Sequence, residues 1–163
     1  MRRLGALLAA FAIATAASLV VTEPAQAAST PVIWVDVRVN SAWPVSRAVT
    51  YVDSYTGSRM RYGTCRAGAR CIVIREDGSL PSSYAAVTSV GYPVTRIRLN
   101  SHRRWYPYAQ RLHTVVHELG HARGLYTHNP RCTSVMYYKM RCPDGRLAPL
   151  AFTSAERATL RRH

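Results

Sequence analysis

The sequence predicts a small α+β domain. Three observations carry this. The chain has 163 residues, which supports one domain and leaves no room for two full ones. Strand-like stretches crowd the early part, while helical patterns recur and close the chain. Hydrophobic residues are 48% and charged residues 18%, so the chain can bury a core and is not disordered by composition. No internal repeat of solenoid or propeller length is visible.

The first segment reads as an address. Met1-Arg2-Arg3 is a short basic region, and Leu4 to Val21 is apolar, Ala-rich and uncharged. Ala25-Gln26-Ala27 fits a small-residue cleavage site, so residues 1–27 are expected to be a secretory signal peptide. The run is slightly short for a membrane anchor and is diluted by Gly5, Thr15 and Ser18. The remaining domain, 28–163, is basic.

Val32 to Val39 is β-rich and alternates at its end, which reads as a strand. Pro44 then opens a helical pattern in which Val45, Ala48, Val49 and Val52 form one apolar stripe. Gly57 suits its end. Cys71 to Arg75 reads as a strand before the turn signal Asp77-Gly78. Thr95 to Asn100 is another strand, with Ile97 and Leu99 on one face and Arg96 and Arg98 on the other. A helix is expected from Tyr108 to Arg123, stopped by Gly124. Thr153 and Glu156 form a capping-box pattern before a short terminal helix containing Ala158 and Leu160.

Four cysteines follow the signal. An even count in a small exported domain suggests two disulfides. The local pairs Cys65–Cys71 and Cys132–Cys142 are favoured, since each closes a short loop of turn-prone residues. A zinc site built from all four lacks the usual C-x2-C spacing.

The chemistry is concentrated in His117-Glu118-Leu119-Gly120-His121. On a helix, positions i and i+4 share a face, so the two imidazoles can converge on one Zn2+. Glu118 is adjacent to the first ligand and can act as a base on water without binding the metal. That pattern points to a hydrolase. The preceding His113-Thr114-Val115-Val116 supplies residues to bury the back of the helix.

From His113 to Tyr138 the chain resembles the metzincin metalloproteases, through His117, Glu118, His121 and Gly124, with Met136 in the position of the Met-turn. It also looks like small secreted metalloproteases of the snapalysin type. The resemblance implies a zincin-like domain: a twisted mixed sheet with a backing helix, an active-site helix and a short C-terminal helix. It implies a secreted zinc endopeptidase, with Met136 packing beneath the ligands. It also offers Tyr138 as an oxyanion-stabilising catalytic residue, with a structural Tyr137 as the other form of that motif.

One departure stands out. The family's third ligand falls at Thr127 here, and His128 comes one residue late. Three outcomes are open. A bulge through Leu125-Tyr126-Thr127 can bring His128 to the metal; Asp144 or Glu156 can serve instead; or the site is degenerate. Glu156 also has the simpler role of capping partner to Thr153. The family analogy further suggests that Thr95 to Asn100 is the edge strand that pairs an extended peptide substrate.

The formal net charge is +14, and 21 of the 22 basic residues are Arg, Lys139 being the exception. Charge of that size puts anionic cell-surface polymers and acidic substrates among the partners. His102-Arg103-Arg104-Trp105-Tyr106 mixes basic and aromatic residues, but it is short for a nucleic-acid surface. A monomer acting on protein or peptide is expected. The other readings are a zinc hydrolase specific for cell-wall peptides and a non-enzymatic basic binding protein. No EF-hand-like acidic cluster suggests calcium.

Overall fold

A computed structural model describes residues 31–57 and 59–163. The expected signal peptide lies outside the described residues. Each element read from the sequence is present. The chain runs β1 (Val32–Arg38), α1 (Val45–Asp53), β2 (Arg59–Tyr62), β3 (Cys71–Asp77), β4 (Ala86–Ser89), β5 (Val94–Asn100), α2 (Tyr108–Ala122) and α3 (Ser154–Arg162). Among the described residues no helix is long and apolar enough to cross a membrane.

The strands form one mixed sheet in the order β2-β1-β3-β5-β4. Pairing is parallel except between β4 and β5, which are antiparallel. This corrects one expectation. The Thr95–Asn100 segment is not an edge, because β5 is flanked by β3 and β4. The edges are β2 and β4, neither of which the sequence pattern marks as a strand. Each is only four residues long, too short to establish a period.

Strand alternation divides the sheet into two faces. Ile33, Val35, Ile72, Ile74, Ile97 and Leu99 point to one side and are buried there. They join Val45, Ala48, Val49 and Val52 of α1, and Val115, Val116 and Leu119 of α2, in a single core. The predicted apolar stripe of α1 is thus its buried face. Both helices cover this one side of the sheet.

The segment after α2 has little regular structure and is held by specific ties. Phe152 packs with Tyr51 and Tyr55 of α1, and the Tyr51 hydroxyl donates to the Leu150 carbonyl at 2.6 Å. The capping box of α3 forms as expected, with Thr153 and Glu156 bonding each other's backbone. Leu160 anchors the helix in the core. Both expected disulfides, Cys65–Cys71 and Cys132–Cys142, are present. Disulfides of this kind belong to an oxidising environment.

Leu160 is fully buried on the final helix. Leu160→Ala is expected to lower unfolding stability by about 3 kcal/mol, measured by urea denaturation. An exposed substitution in the same helix, Ala158→Ser, should cost well under a third of that.

Candidate metal centre

Helix α2 carries His117, Glu118 and His121, and its end decides where the chain goes next. The Leu125 amide donates to the Gly120 carbonyl at 3.0 Å, and the Gly124 amide donates to the His121 carbonyl at 3.1 Å. This double bond pattern closes the helix, with Gly124 in the left-handed region at φ 99°. The chain then turns back over α2. Residues 125–128 are irregular, and their path carries His128 rather than Thr127 to the two helix histidines.

The outcome is a triangle of imidazole nitrogens. Nε2 of His117 lies 3.1 Å from Nε2 of His121, and Nε2 of His128 lies 3.2 Å from each. Of the three sequence alternatives, this arrangement is the one that brings His128 to the other two. Asp144 instead pairs with Arg146 at 2.6 Å. Glu156 is engaged with Thr153, Ser134 and Asn129.

Two of the three rings are oriented from behind. His117 Nδ1 lies 2.7 Å from the Val135 carbonyl, and His121 Nδ1 lies 2.6 Å from the Leu125 carbonyl. A carbonyl only accepts, so both Nδ1 atoms carry the proton, and both Nε2 atoms present lone pairs to the triangle. Burial pushes the His117 imidazole down to about 3 and lowers that of His121 as well, which keeps both neutral. Lone pairs facing one another at this distance are reconciled by a cation. Three nitrogens about 2.0–2.1 Å from one tetrahedral ion lie about 3.3 Å apart, which matches the triangle. His117, His121 and His128 can therefore hold a metal ion.

Met136 organises this arrangement. It is completely buried, and a Cβ on Gly120 would come within 2.5 Å of its sulfur. Gly120 sits in the last turn of α2, and the close approach of Met136 leaves no room there for a side chain. From the same turn, the Val135 carbonyl holds His117, and the Met136 carbonyl accepts from the Asn129 amide at 2.7 Å, next to His128. Glu156 locks the turn. Its carboxylate accepts from Ser134 Oγ at 2.5 Å and from Asn129 Nδ2 at 3.1 Å. Ser134 Oγ in turn accepts from the Met136 amide at 3.0 Å.

Glu118 is buried beside the triangle, and burial raises its carboxyl to about 7. The Thr88 hydroxyl of β4 lies 2.5 Å from Glu118 Oε2, which offsets part of that shift. Thr88 was not legible as a site residue, because the contact depends on pairing of the edge strand. A groove of about 810 Å³ runs between β4, α2 and the Met136 turn, lined by Thr88, His113, Glu118 and the three ligands among others. His113 is buried one turn before His117, its ring parallel to that ring at 6.4 Å between centroids. Tyr138 stands half exposed on the groove wall, its ring 4.6 Å from that of Tyr137. Tyr137 is buried, and its hydrogen bond with Tyr138 raises its phenol pKa.

No protein-family model and no curated protein matches the chain.

The metal-free protein is expected to bind one equivalent of divalent ion, read by calorimetry. Saturation a thousandfold above Kd should add about 4 kcal/mol of stability, read as a raised Tm. His128→Ala should abolish most of this gain, while Asp144→Asn leaves it intact. Gly120→Ala should lower stability by about 1–3 kcal/mol through overpacking against Met136.

Proposed function

We propose that this protein is a zinc-dependent endopeptidase of the metzincin type, acting outside the cytoplasm. The observation that carries this reading is the histidine triangle closed by His128 beside the buried carboxylate of Glu118. Three imidazoles suit Zn2+, and a three-histidine set leaves a coordination position open for catalysis. When bound, zinc supplies Lewis acidity that polarises a carbonyl and makes a water acidic enough to lose its proton near neutral pH.

The protein's own groups do the rest. Glu118 takes the proton from the attacking water and delivers it to the departing amine nitrogen. Thr88 holds Glu118 Oε2, which leaves Oε1 for the proton. Burial supports this role, since a carboxyl near 7 can both accept and release a proton at neutral pH.

The substrate lies along β4 as an added strand. In the antiparallel ladder with β5, the Asn100 amide bonds the Ala85 carbonyl, so alternation assigns the β5 bonds to Ala85, Val87 and Ser89. The backbone groups of Ala86 and Thr88 then face off the free edge into the groove. They suit an extended peptide backbone crossing above Glu118. Tyr138 is placed to donate its hydroxyl to the oxyanion as the peptide seats.

With casein as substrate, Glu118→Gln should lower kcat by about 10²–10⁴-fold while one zinc remains bound. Tyr138→Phe should lower kcat by about 10–100-fold with KM little changed. A chelator should stop the wild type, and zinc should restore it. Full casein cleavage by Glu118→Gln would overturn the mechanism. Zinc binding without cleavage of any peptide would leave a metal-binding protein in place of an enzyme.

A further inference from the structure

Among the described residues no helix packs on the second face of the sheet, although the loop carrying Arg66 covers Trp34, and Asp36, Cys71 and Asn100 are buried there. The core and both packed helices lie on the side of Ile33, Ile72 and Ile97. The opposite side presents Arg59 and Arg61 from β2, Arg38 from β1, Arg75 from β3, and Arg96 and Arg98 from β5. All are exposed except Arg98, whose side chain is a third exposed. Against these six arginines the strands set only Asp36 and Asp77 on this face.

Register sharpens the pattern. Arg38 pairs with Arg75, and Arg75 pairs with Arg98, so three arginines lie side by side across three strands. Neighbouring strands are about 4.8 Å apart. Like charges directly opposite one another destabilise a sheet. Asp36 offsets Arg38 at 2.6 Å, and Asp77 offsets Arg98 at 3.2 Å. No ion pair is recorded for the central Arg75 among the described residues. A solvated face of scattered charge does not need such a row. A bound polyanion resolves its repulsion, because guanidinium forks match phosphate oxygens in pairs.

The face also argues about what the anion carries. Single-stranded nucleic acids are held by aromatic platforms on which bases stack. The one aromatic ring that the strands present here is Trp34, and it is already covered by the Arg66 guanidinium at 4.1 Å. Phosphates are served and bases are not. Along a strand, alternate arginines such as Arg96 and Arg98 are about 6.6 Å apart, a spacing that consecutive phosphodiesters of a flexible chain can follow.

We infer that the second face of the sheet, centred on Arg38, Arg75, Arg96 and Arg98, is a docking surface for a linear, base-free phosphodiester polymer of the cell exterior. The metal centre lies on the other side of the sheet, so the groove stays open while the protein is docked. The inference does not depend on the peptidase reading.

The test uses the full domain and a linear poly(glycerol phosphate) as probe. Binding is measured across a salt series for the wild type, for Arg75→Gln/Arg96→Gln, and for a control, Arg47→Gln/Arg157→Gln. The control removes the same charge from exposed positions on α1 and α3. The face variant should bind about tenfold or more weakly at low salt, with a shallower salt dependence. The control should bind like the wild type. Zinc stoichiometry and Tm should be unchanged in both, which separates loss of docking from loss of fold or metal site. Equal weakening in both variants would reduce the effect to net charge and overturn the inference. Equally tight binding of single-stranded DNA, or of a polycarboxylate such as polygalacturonate, would overturn the assigned chemistry.

Discussion

Met136 reaches into α2 at Gly120, between the two histidines that share the helix face, and that one contact sets the position of nearly everything else at the site. A side chain at Gly120 would have to displace the Met136 side chain. From the same turn the Val135 carbonyl reaches His117 and the Met136 carbonyl accepts from the Asn129 amide. The triangle is therefore held from two sides, His117 by the Val135 carbonyl of the Met136 turn and His121 by the Leu125 carbonyl after α2. The ligands themselves are short of internal constraint, since His128 sits in an irregular loop. Carbonyls behind His117 and His121 keep two of the three nitrogens aimed at one point.

What could be read from the chain alone was whatever depends on local spacing. The α1 stripe needs only four small apolar residues at helical intervals. The cysteine pairs need only short loops, and the Thr153–Glu156 box needs only a separation of three. His117, Glu118 and His121 belong to the same class. The register of strands is different, because it depends on partners far away in sequence. β4 pairs with β5, and its place at the edge follows only when the whole order of strands is known. For that reason Thr88 was invisible and Thr95–Asn100 was misplaced at the edge. Glu156 lies between the two cases. Its cap was legible, but its bonds to Ser134 and Asn129 bring together segments more than twenty residues apart. The offset of His128 was legible as an anomaly, and its resolution lay in the turn after Gly124.

The sheet separates two kinds of surface. One side is apolar and supports the helix that carries the site. The other is charged and, among the described residues, carries no helix. Parity along each strand enforces the division, since a residue that leaves the core by one position arrives on the charged face. Lys139, Arg103 and Arg141 line the same groove as the histidines, and burial is the largest cause that lowers the His117 and His121 imidazoles.

The dual bonding of Glu156 bears on the order in which the molecule comes together. His117 and His121 are neighbours on one helix and are aligned as soon as that helix forms. The loop bearing His128 is fixed through Asn129 to a carboxylate on the final helix, 28 residues further along from His128. Closing that long contact costs chain entropy that only the finished C-terminal segment can offset. The third ligand is therefore the last part of the site to be seated. During synthesis, a chain lacking its end holds two aligned histidines and an unfinished centre.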